Sequence, residues 1–318
     1  MNVSITPQFA RRIKRTHGGH VNVPIAPEFV LRIKRNEPMS RHTSWHVGGP
    51  ADVFFNPRDR ADLAAFLKSL PEEIPVHWVG LGSNLLVRDG GVRGVVISTI
   101  GTLDRFDRLN QMTVFVEAGV ACARIARQCV KWGLGPCEFF AGIPGTLGGA
   151  LAMNAGAFGG ETWHHVVEVQ TMDRRGREHV RDASVYTVGY REVMGPAQAE
   201  WFVAAKLRFE HKPGINEARV RELLERRKAT QPIGEWSCGS VFTNPPGDHA
   251  ARLIESAGLK GHRIGAASVS QKHANFIINH GDATAADVEE LIGFVQQMVE
   301  QRHGIRLRTE VRVLGAAR

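Results

Sequence analysis

Gly142-Ile-Pro-Gly-Thr-Leu-Gly-Gly-Ala-Leu-Ala-Met-Asn-Ala-Gly-Ala-Phe-Gly-Gly160 carries no charge and holds seven glycines. Backbone without Cβ atoms approaches a large ligand closely, and several N–H groups can then converge on one anion. The run is long enough to cross a bilayer, but Pro144 and its glycines would leave backbone groups unpaired in lipid. Taken alone it also fits a glycine-rich surface loop. A diphosphate cradle is the favoured reading.

A second glycine cluster, Gly80-Leu-Gly-Ser-Asn-Leu-Leu-Val87, follows the apolar run Pro75-Val-His-Trp-Val79. This reads as a buried strand and a tight turn leaving it. No glycine stands at position 85 and no helical period follows, so the dinucleotide fingerprint of the Rossmann fold is absent. Gly142–Gly149 is not closed by Lys-Ser or Lys-Thr, which excludes a Walker loop. A dinucleotide would have to be held by loops of another kind.

The chain has 318 residues, enough for two domains, and a formal net charge of +8. That charge is local. Residues 1–41 hold eight basic side chains against Glu28 and Glu37, which is +6 of the +8. The same segment repeats itself at an offset of 20 residues. Val3-Ser-Ile-Thr-Pro-Gln-Phe9 echoes Val23-Pro-Ile-Ala-Pro-Glu-Phe29, and Arg12-Ile-Lys-Arg15 recurs as Arg32-Ile-Lys-Arg35. Two copies do not make a solenoid. Residues 1–37 therefore read as a dispensable basic appendage, with 38–212 and 213–318 as the two working domains; the alternative is that one repeat unit docks on the first of these and stabilises it, since Ile, Phe and Val are not the residues of a disordered tail. Nucleic acid is not expected as a partner, because no stacking aromatics interleave with the charge.

The four cysteines form no CxxC pair, and the fourteen histidines show no metal-binding spacing. A reduced, cytoplasmic protein without metal, signal peptide or membrane insertion is expected. Short strands are expected at 52–55, 76–79, 92–97, 114–117, 166–172, 180–183, 202–209 and 275–279, with a last one at 307–313. Helices are expected at 60–70, 121–132, 216–227, 250–257 and 285–303, and an inter-domain joint at Pro213-Gly214. Without a regular βαβ rhythm this is an α+β protein.

Three polar residues stand in apolar or glycine settings: Arg191 after Gly189-Tyr190, Ser240 in Cys238-Gly-Ser-Val-Phe242, and Glu310 within the last strand. Singly each has a plain structural explanation. A buried hydroxyl can bond to backbone, and a strand carboxylate commonly pairs with a nearby arginine. Gly-x-Ser-x-Gly is absent, which excludes a hydrolase elbow.

Together they fall in an ordered series. Arg41-His-Thr-Ser-Trp-His-Val-Gly-Gly-Pro-Ala51, Gly80–Val87, Asp89-Gly-Gly91, Glu117-Ala-Gly119, Gly142–Gly160 and Gly189-Tyr-Arg191 come first. Gln231-Pro232, Gly239-Ser-Val-Phe242 with Asn244-Pro245, Gly258-Leu-Lys-Gly261, Ser270-Gln-Lys-His-Ala274 and Glu310-Val-Arg312 complete it. Over about residues 38–315 the chain resembles the UDP-N-acetylenolpyruvoylglucosamine reductases. The resemblance implies an FAD-binding fold of the vanillyl-alcohol-oxidase (PCMH) type in two sub-domains, followed by an α+β substrate domain. It implies non-covalent FAD, NADPH as co-substrate, and a UDP-sugar enolpyruvyl ether that receives hydride at its methylene carbon.

By the same resemblance FAD lies against Gly80, Leu81, Gly82, Ser83, Asn84 and Leu85, against Ala118 and Gly119, and against Gly142, Ile143, Pro144, Gly145, Thr146, Gly148 and Gly149. Asn154, Ala155 and Gly156 lie nearby. Arg191 and Glu310 form the pair that polarises the substrate, and Ser240 is the proton donor. Tyr190, Arg227, Asn244 and His273 match substrate-binding positions. Only about fifty residues separate Arg191 from Ser240, and Tyr186 and Tyr190 are the only tyrosines. That places the chain in the branch lacking a tyrosine-bearing lid loop. A monomer is expected. The nearest alternative is another non-covalent FAD oxidoreductase of this fold, acting on a sugar or hydroxy acid. Many sugar and lactone oxidases of this fold attach FAD covalently through a histidine in or near the glycine turns; the Gly80 turn has none, so dissociable FAD is expected.

Overall fold

A computed structural model describes residues 22–196, 199–212 and 214–318. From the N-terminal side, β1 (Ile33–Pro38), β2 (Pro50–Phe55), α1 (Arg60–Ser69), β3 (Val76–Val79), β4 (Leu85–Val87) and β5 (Val92–Ser98) form the first unit. Its sheet has the order β1-β2-β5-β3, antiparallel at β1/β2 and parallel beyond. β2 and β5 are buried along nearly their whole length, as a parallel strand covered on both faces requires. Asp59 starts α1 by accepting a hydrogen bond from the N–H of Asp62.

The second unit adds β6 (Phe106–Arg108), β7 (Thr113–Glu117), α2 (Cys122–Lys131), β8 (Leu134–Gly135) and α3 (Leu147–Met153). It continues with β9 (Gly156–Ala157), β10 (Gly160–Glu161), β11 (Val166–Asp173), β12 (Glu178–Asp182), β13 (Thr187–Gly189), β14 (Glu192–Met194), β15 (Glu200–Arg208) and β16 (Glu210–His211). Its main sheet, β12-β11-β15-β7-β6, is antiparallel throughout. All three cysteines between 122 and 137 are free and buried, and belong to this unit's core. α4 (Glu217–Thr230) follows; its one buried residue, Val220, joins the same core. By packing, α4 therefore sits with the second unit rather than with the C-terminal one. Pro213 of the expected joint lies outside the described residues.

The C-terminal unit contains α5 (Ala250–Ser256), β17 (Arg263–Ile264), β18 (Ala267–Val269), β19 (Ile277–Asn279), α6 (Ala285–His303) and β20 (Arg312–Leu314). Its core takes in Trp45, Val47 and Leu86 from the first unit. Trp45 Nε1 donates to the Ile277 carbonyl at 2.7 Å, and Asp89 accepts from the Ala285 and Ala286 N–H groups at the start of α6. β20 returns to pair in parallel with β4. The first and last units are thus riveted together.

Two expectations fail here. Residues 1–37 are not wholly an appendage: within them, β1 is a sheet strand, and Val23 and Phe29 are buried in the first unit's core. Residues 1–21 lie outside the described part. The last strand is shorter than expected, since β20 begins only at Arg312. Thr309 forms an isolated bridge with Phe242, and Glu310 stands in the irregular backbone between the two.

Candidate active site

The two glycine turns face each other. A Cβ at Gly145 would sit 3.6 Å from Ser83 Oγ, and one at Gly80 would meet Thr146 Oγ1 at 2.8 Å. The end of β7 laces the second turn in place: Leu147 N donates to Val120, Gly148 N to Ala118, and Cys122 N to Gly145, each at 2.9 Å. Gly82 has φ +63°, and a Cβ there would lie 2.0 Å from the His42 carbonyl, so a side chain is excluded. Among the described residues the N–H groups of Leu81, Gly82, Ser83, Thr146 and Gly149 donate to no protein acceptor.

Five of the seven glycines divide by what surrounds them. Cβ atoms at Gly142, Gly156 and Gly160 would clash with Phe158, Gly160 and Phe139, so close packing of the β9–β10 hairpin explains those three. Gly145 and Gly149 have ordinary contact or open space, and the protein's own packing gives no reason for a missing side chain. Beside them Thr146 Oγ1 is buried with no hydrogen-bond partner. Open space, undonated N–H groups and an orphan hydroxyl on one cradle fit a polyphosphate ligand, and FAD carries one.

Arg191 occupies the two-residue turn between β13 and β14 with φ +58°, a conformation uncommon for a side chain of its size. Asn154 holds that turn. Expected beside the pyrophosphate, Asn154 is buried and left-handed, and its side chain is spent on protein. Its Nδ2 donates to the Gly189 carbonyl and Glu161, while Oδ1 accepts from Trp163 N. The Arg191 guanidinium is fixed on three sides: Nε to Glu310 Oε1 at 3.1 Å, Nη1 to the Asn154 carbonyl, and Nη2 to the Gly156 carbonyl.

Glu310 is held through its backbone. Its N–H donates to the Val241 carbonyl at 2.8 Å, and its carbonyl accepts from Asn84 Nδ2 at 3.1 Å. Asn84 thus joins the Gly80 turn to the Glu310 backbone. Burial raises the Glu310 pKa above the usual carboxylate value, and the neighbouring Arg191 charge pulls against that rise. Ser240 directly precedes Val241, and its hydroxyl makes no hydrogen bond among the described residues. The three expected catalytic residues therefore converge, from a hairpin of the second unit, a loop of the C-terminal unit and the approach to β20.

Tyr190 is half exposed, with the Arg191 guanidinium 5.0 Å from its ring centre. Asn244 Oδ1 accepts from the Ala250 N–H at the start of α5, which leaves its amide nitrogen available. His273 is edge-on to Phe276, and burial lowers its pKa below the usual imidazole value. Arg227 bonds Gln231 from α4. Its helix meets the His273 loop where Lys272 Nζ donates to the Lys228 carbonyl. Asn275 went unremarked in the sequence. It is buried and brackets Phe242 through both side-chain atoms, fixing the loop that carries Ser240. An asparagine between Ala274 and Phe276 at the head of an apolar run was the available signal.

This arrangement is that of a flavoprotein, and a family model for an FAD binding domain matches residues 51–181. A second model, for the C-terminal domain of UDP-N-acetylenolpyruvoylglucosamine reductase, matches residues 231–314. The reductase of that name from Alkalilimnicola ehrlichii is 61% identical over 284 residues, covering 88% of this chain and 94% of its own. The one from Methylococcus capsulatus is 55% identical over 89% of this chain and 93% of its own. The solved reductase of Thermus caldophilus superposes with a TM-score of 0.77 at 34% identity, over 89% of this chain and 99% of that one. The chain belongs to the UDP-N-acetylenolpyruvoylglucosamine reductase family. It is an FAD-dependent oxidoreductase, and the alternative of a sugar or hydroxy-acid oxidoreductase falls away.

Proposed function

We propose that this chain reduces the enolpyruvyl ether of UDP-N-acetylglucosamine to UDP-N-acetylmuramate with NADPH, as a step in peptidoglycan precursor synthesis. Further parts of the proposal are that it works as a cytoplasmic monomer and closes its nucleotide pocket without a tyrosine lid. The observation that carries the mechanism is the Arg191–Glu310 pair, with Ser240 one residue before the Val241 carbonyl that accepts from the Glu310 N–H.

Bound FAD, once reduced by NADPH, supplies the hydride for the methylene carbon of the substrate. Negative charge then moves onto the enolpyruvyl carboxylate, and Arg191 is positioned to receive it. A guanidinium has five N–H donors, of which three are committed to Glu310, Asn154 and Gly156. The remaining two can face the substrate without any rearrangement of the side chain, which is the preorganisation that electrostatic stabilisation requires. Glu310 completes the polarising pair. Ser240 delivers the proton to the adjacent carbon. A serine hydroxyl is so weak an acid that it gives up its proton only to a strongly basic carbon, and the charged substrate is one. Hydride and proton together convert the enol ether to the saturated lactyl ether. Asn244, His273 and Arg227 hold the UDP part, with Tyr190 at the mouth.

Ser240→Ala separates the two half-reactions. In stopped flow NADPH should bleach the flavin at the wild-type rate, while reoxidation by the enolpyruvyl substrate slows by at least about 100-fold. Wild-type reoxidation in the variant would mean that the proton has another source.

A further inference from the structure

Residues 22–35 fill a cleft of the first unit by a small set of anchors. Val23 is fully buried, and the Phe29 ring stands edge-on to Phe55 and Phe66 at 6.0 and 5.1 Å. Arg32 pairs with Asp62 at 2.8 Å, Ile33 lies opposite Phe55 in the β1/β2 ladder, and Arg35 Nη2 donates to the Val23 carbonyl.

Residues 2–15 carry every one of these anchors in the same order: Val3, Phe9, Arg12, Ile13 and Arg15. The two copies differ at Ser4/Pro24, Thr6/Ala26, Gln8/Glu28, Ala10/Val30 and Arg11/Leu31. On the docked copy Pro24, Glu28, Val30 and Leu31 are exposed, Leu31 at 97%, and only Ala26 is partly covered. Differences thus fall where the docked segment meets water. Identity holds at every anchor, Ala26 being the one partly covered position that differs.

We propose that residues 2–15 are a second ligand for this cleft, so that the chain carries a spare docking segment and exchanges one copy for the other. When 2–15 is docked, residues 16–35 become a 20-residue loop between Arg15 and Asn36. From Asn36 onward the backbone keeps its place, so the flavin cradle and the catalytic trio are untouched. Closing that loop costs entropy that the contiguous second copy avoids, which keeps the exchanged state a minority in the unmodified chain. The occupant comes from the same molecule because the tether keeps the local concentration of the spare high.

The test uses the full chain, saturated with FAD, as four proteins: unmodified, Phe9→Ala, Phe29→Ala, and the double variant. Truncating a buried phenylalanine normally destabilises heavily. Exchange predicts that Phe9→Ala melts within about 1 °C of the unmodified chain, that Phe29→Ala loses only a few degrees, and that the double variant loses at least about 5 °C more. In Phe29→Ala, trypsin should also cut after Arg32, Lys34 and Arg35 while the rest of the chain stays resistant. Equal melting of Phe29→Ala and the double variant would overturn the proposal, as would a Phe29→Ala chain that fails to fold. A concentration-dependent dimer of Phe29→Ala would overturn exchange within one molecule in favour of exchange between two.

Discussion

Arg191→Ala removes three donors at once and strands Glu310, Asn154 O and Gly156 O. The two side chains of the pair are only 18% and 12% exposed, so water cannot fully replace the guanidinium. Breaking a buried pair from one side costs about 3–5 kcal/mol. Glu310 can escape part of that cost by taking up a proton, and both influences that lower its pKa come from Arg191. The lower end, about 3 kcal/mol, is therefore expected near neutral pH, which is a fall in Tm of roughly 6 °C at about 2 °C per kcal/mol for a chain this size.

The pH dependence has a definite sign. The folded pKa of Glu310 already lies above its ordinary 4.5, and the variant raises it further. A group of this kind contributes its full stability below the unfolded pKa and loses it as pH rises through the folded value. The gap in Tm between the unmodified chain and Arg191→Ala should therefore widen from about pH 5 to about pH 8. Adding Glu310→Gln should flatten it. The assay is thermal melting at saturating FAD across that range. A gap independent of pH, or Arg191→Ala melting within about 1 °C of the unmodified chain, would refute the role given to the pair.

Other outcomes follow from the cradle and the N-terminal segment. Thr146→Val removes a buried hydroxyl without a partner, a group costing about 1–3 kcal/mol, so the FAD-free protein should be as stable or more stable while FAD affinity falls; both are read by melting and by titration of the apoprotein. FAD should be released intact by acid or heat, because neither glycine turn holds a histidine for covalent attachment; flavin colour remaining with the precipitated protein would contradict this. Deleting residues 1–21 should move Tm by no more than about 2 °C, whereas deleting 1–37 should lower it by more than about 5 °C, because it removes Val23, Phe29 and most of β1 from the first core. Equal Tm for the two truncations would mean that residues 22–37 contribute nothing to the fold.

The sequence made the long elements and the two glycine turns legible because their signals are local. Helix 285–303 carries its capping box and its left-handed Gly304 within its own span, and strand 76–79 is bounded by proline and glycine. The failures share one cause: the deciding partner lies far along the chain. Leu307–Val313 has the apolar alternation of a strand, yet β4 offers a partner only to Arg312–Leu314, and Phe242 reaches back only as far as Thr309. The repeated basic segment looked like a tail by charge, although its Val, Phe and Ile positions fit a cleft built by β2 and α1. Charge described the exposed face of that segment and was silent about the buried one.

The break before β20 also explains how Glu310 comes to meet Arg191 although the strand expected around it is absent. A regular strand through residue 310 would engage its N–H and carbonyl in a ladder with one neighbour. In the irregular backbone, Glu310 instead bonds Val241 from the loop of Ser240 and Asn84 from the Gly80 turn, and its side chain meets Arg191. One residue thereby touches each of the three parts from which the site is assembled. Asn84→Ala should then disturb more than the cradle: losing the bond to the Glu310 carbonyl should slow reoxidation by the enolpyruvyl substrate even at saturating FAD. A variant defective only in FAD affinity, with normal reoxidation once loaded, would show that Asn84 serves the cradle alone.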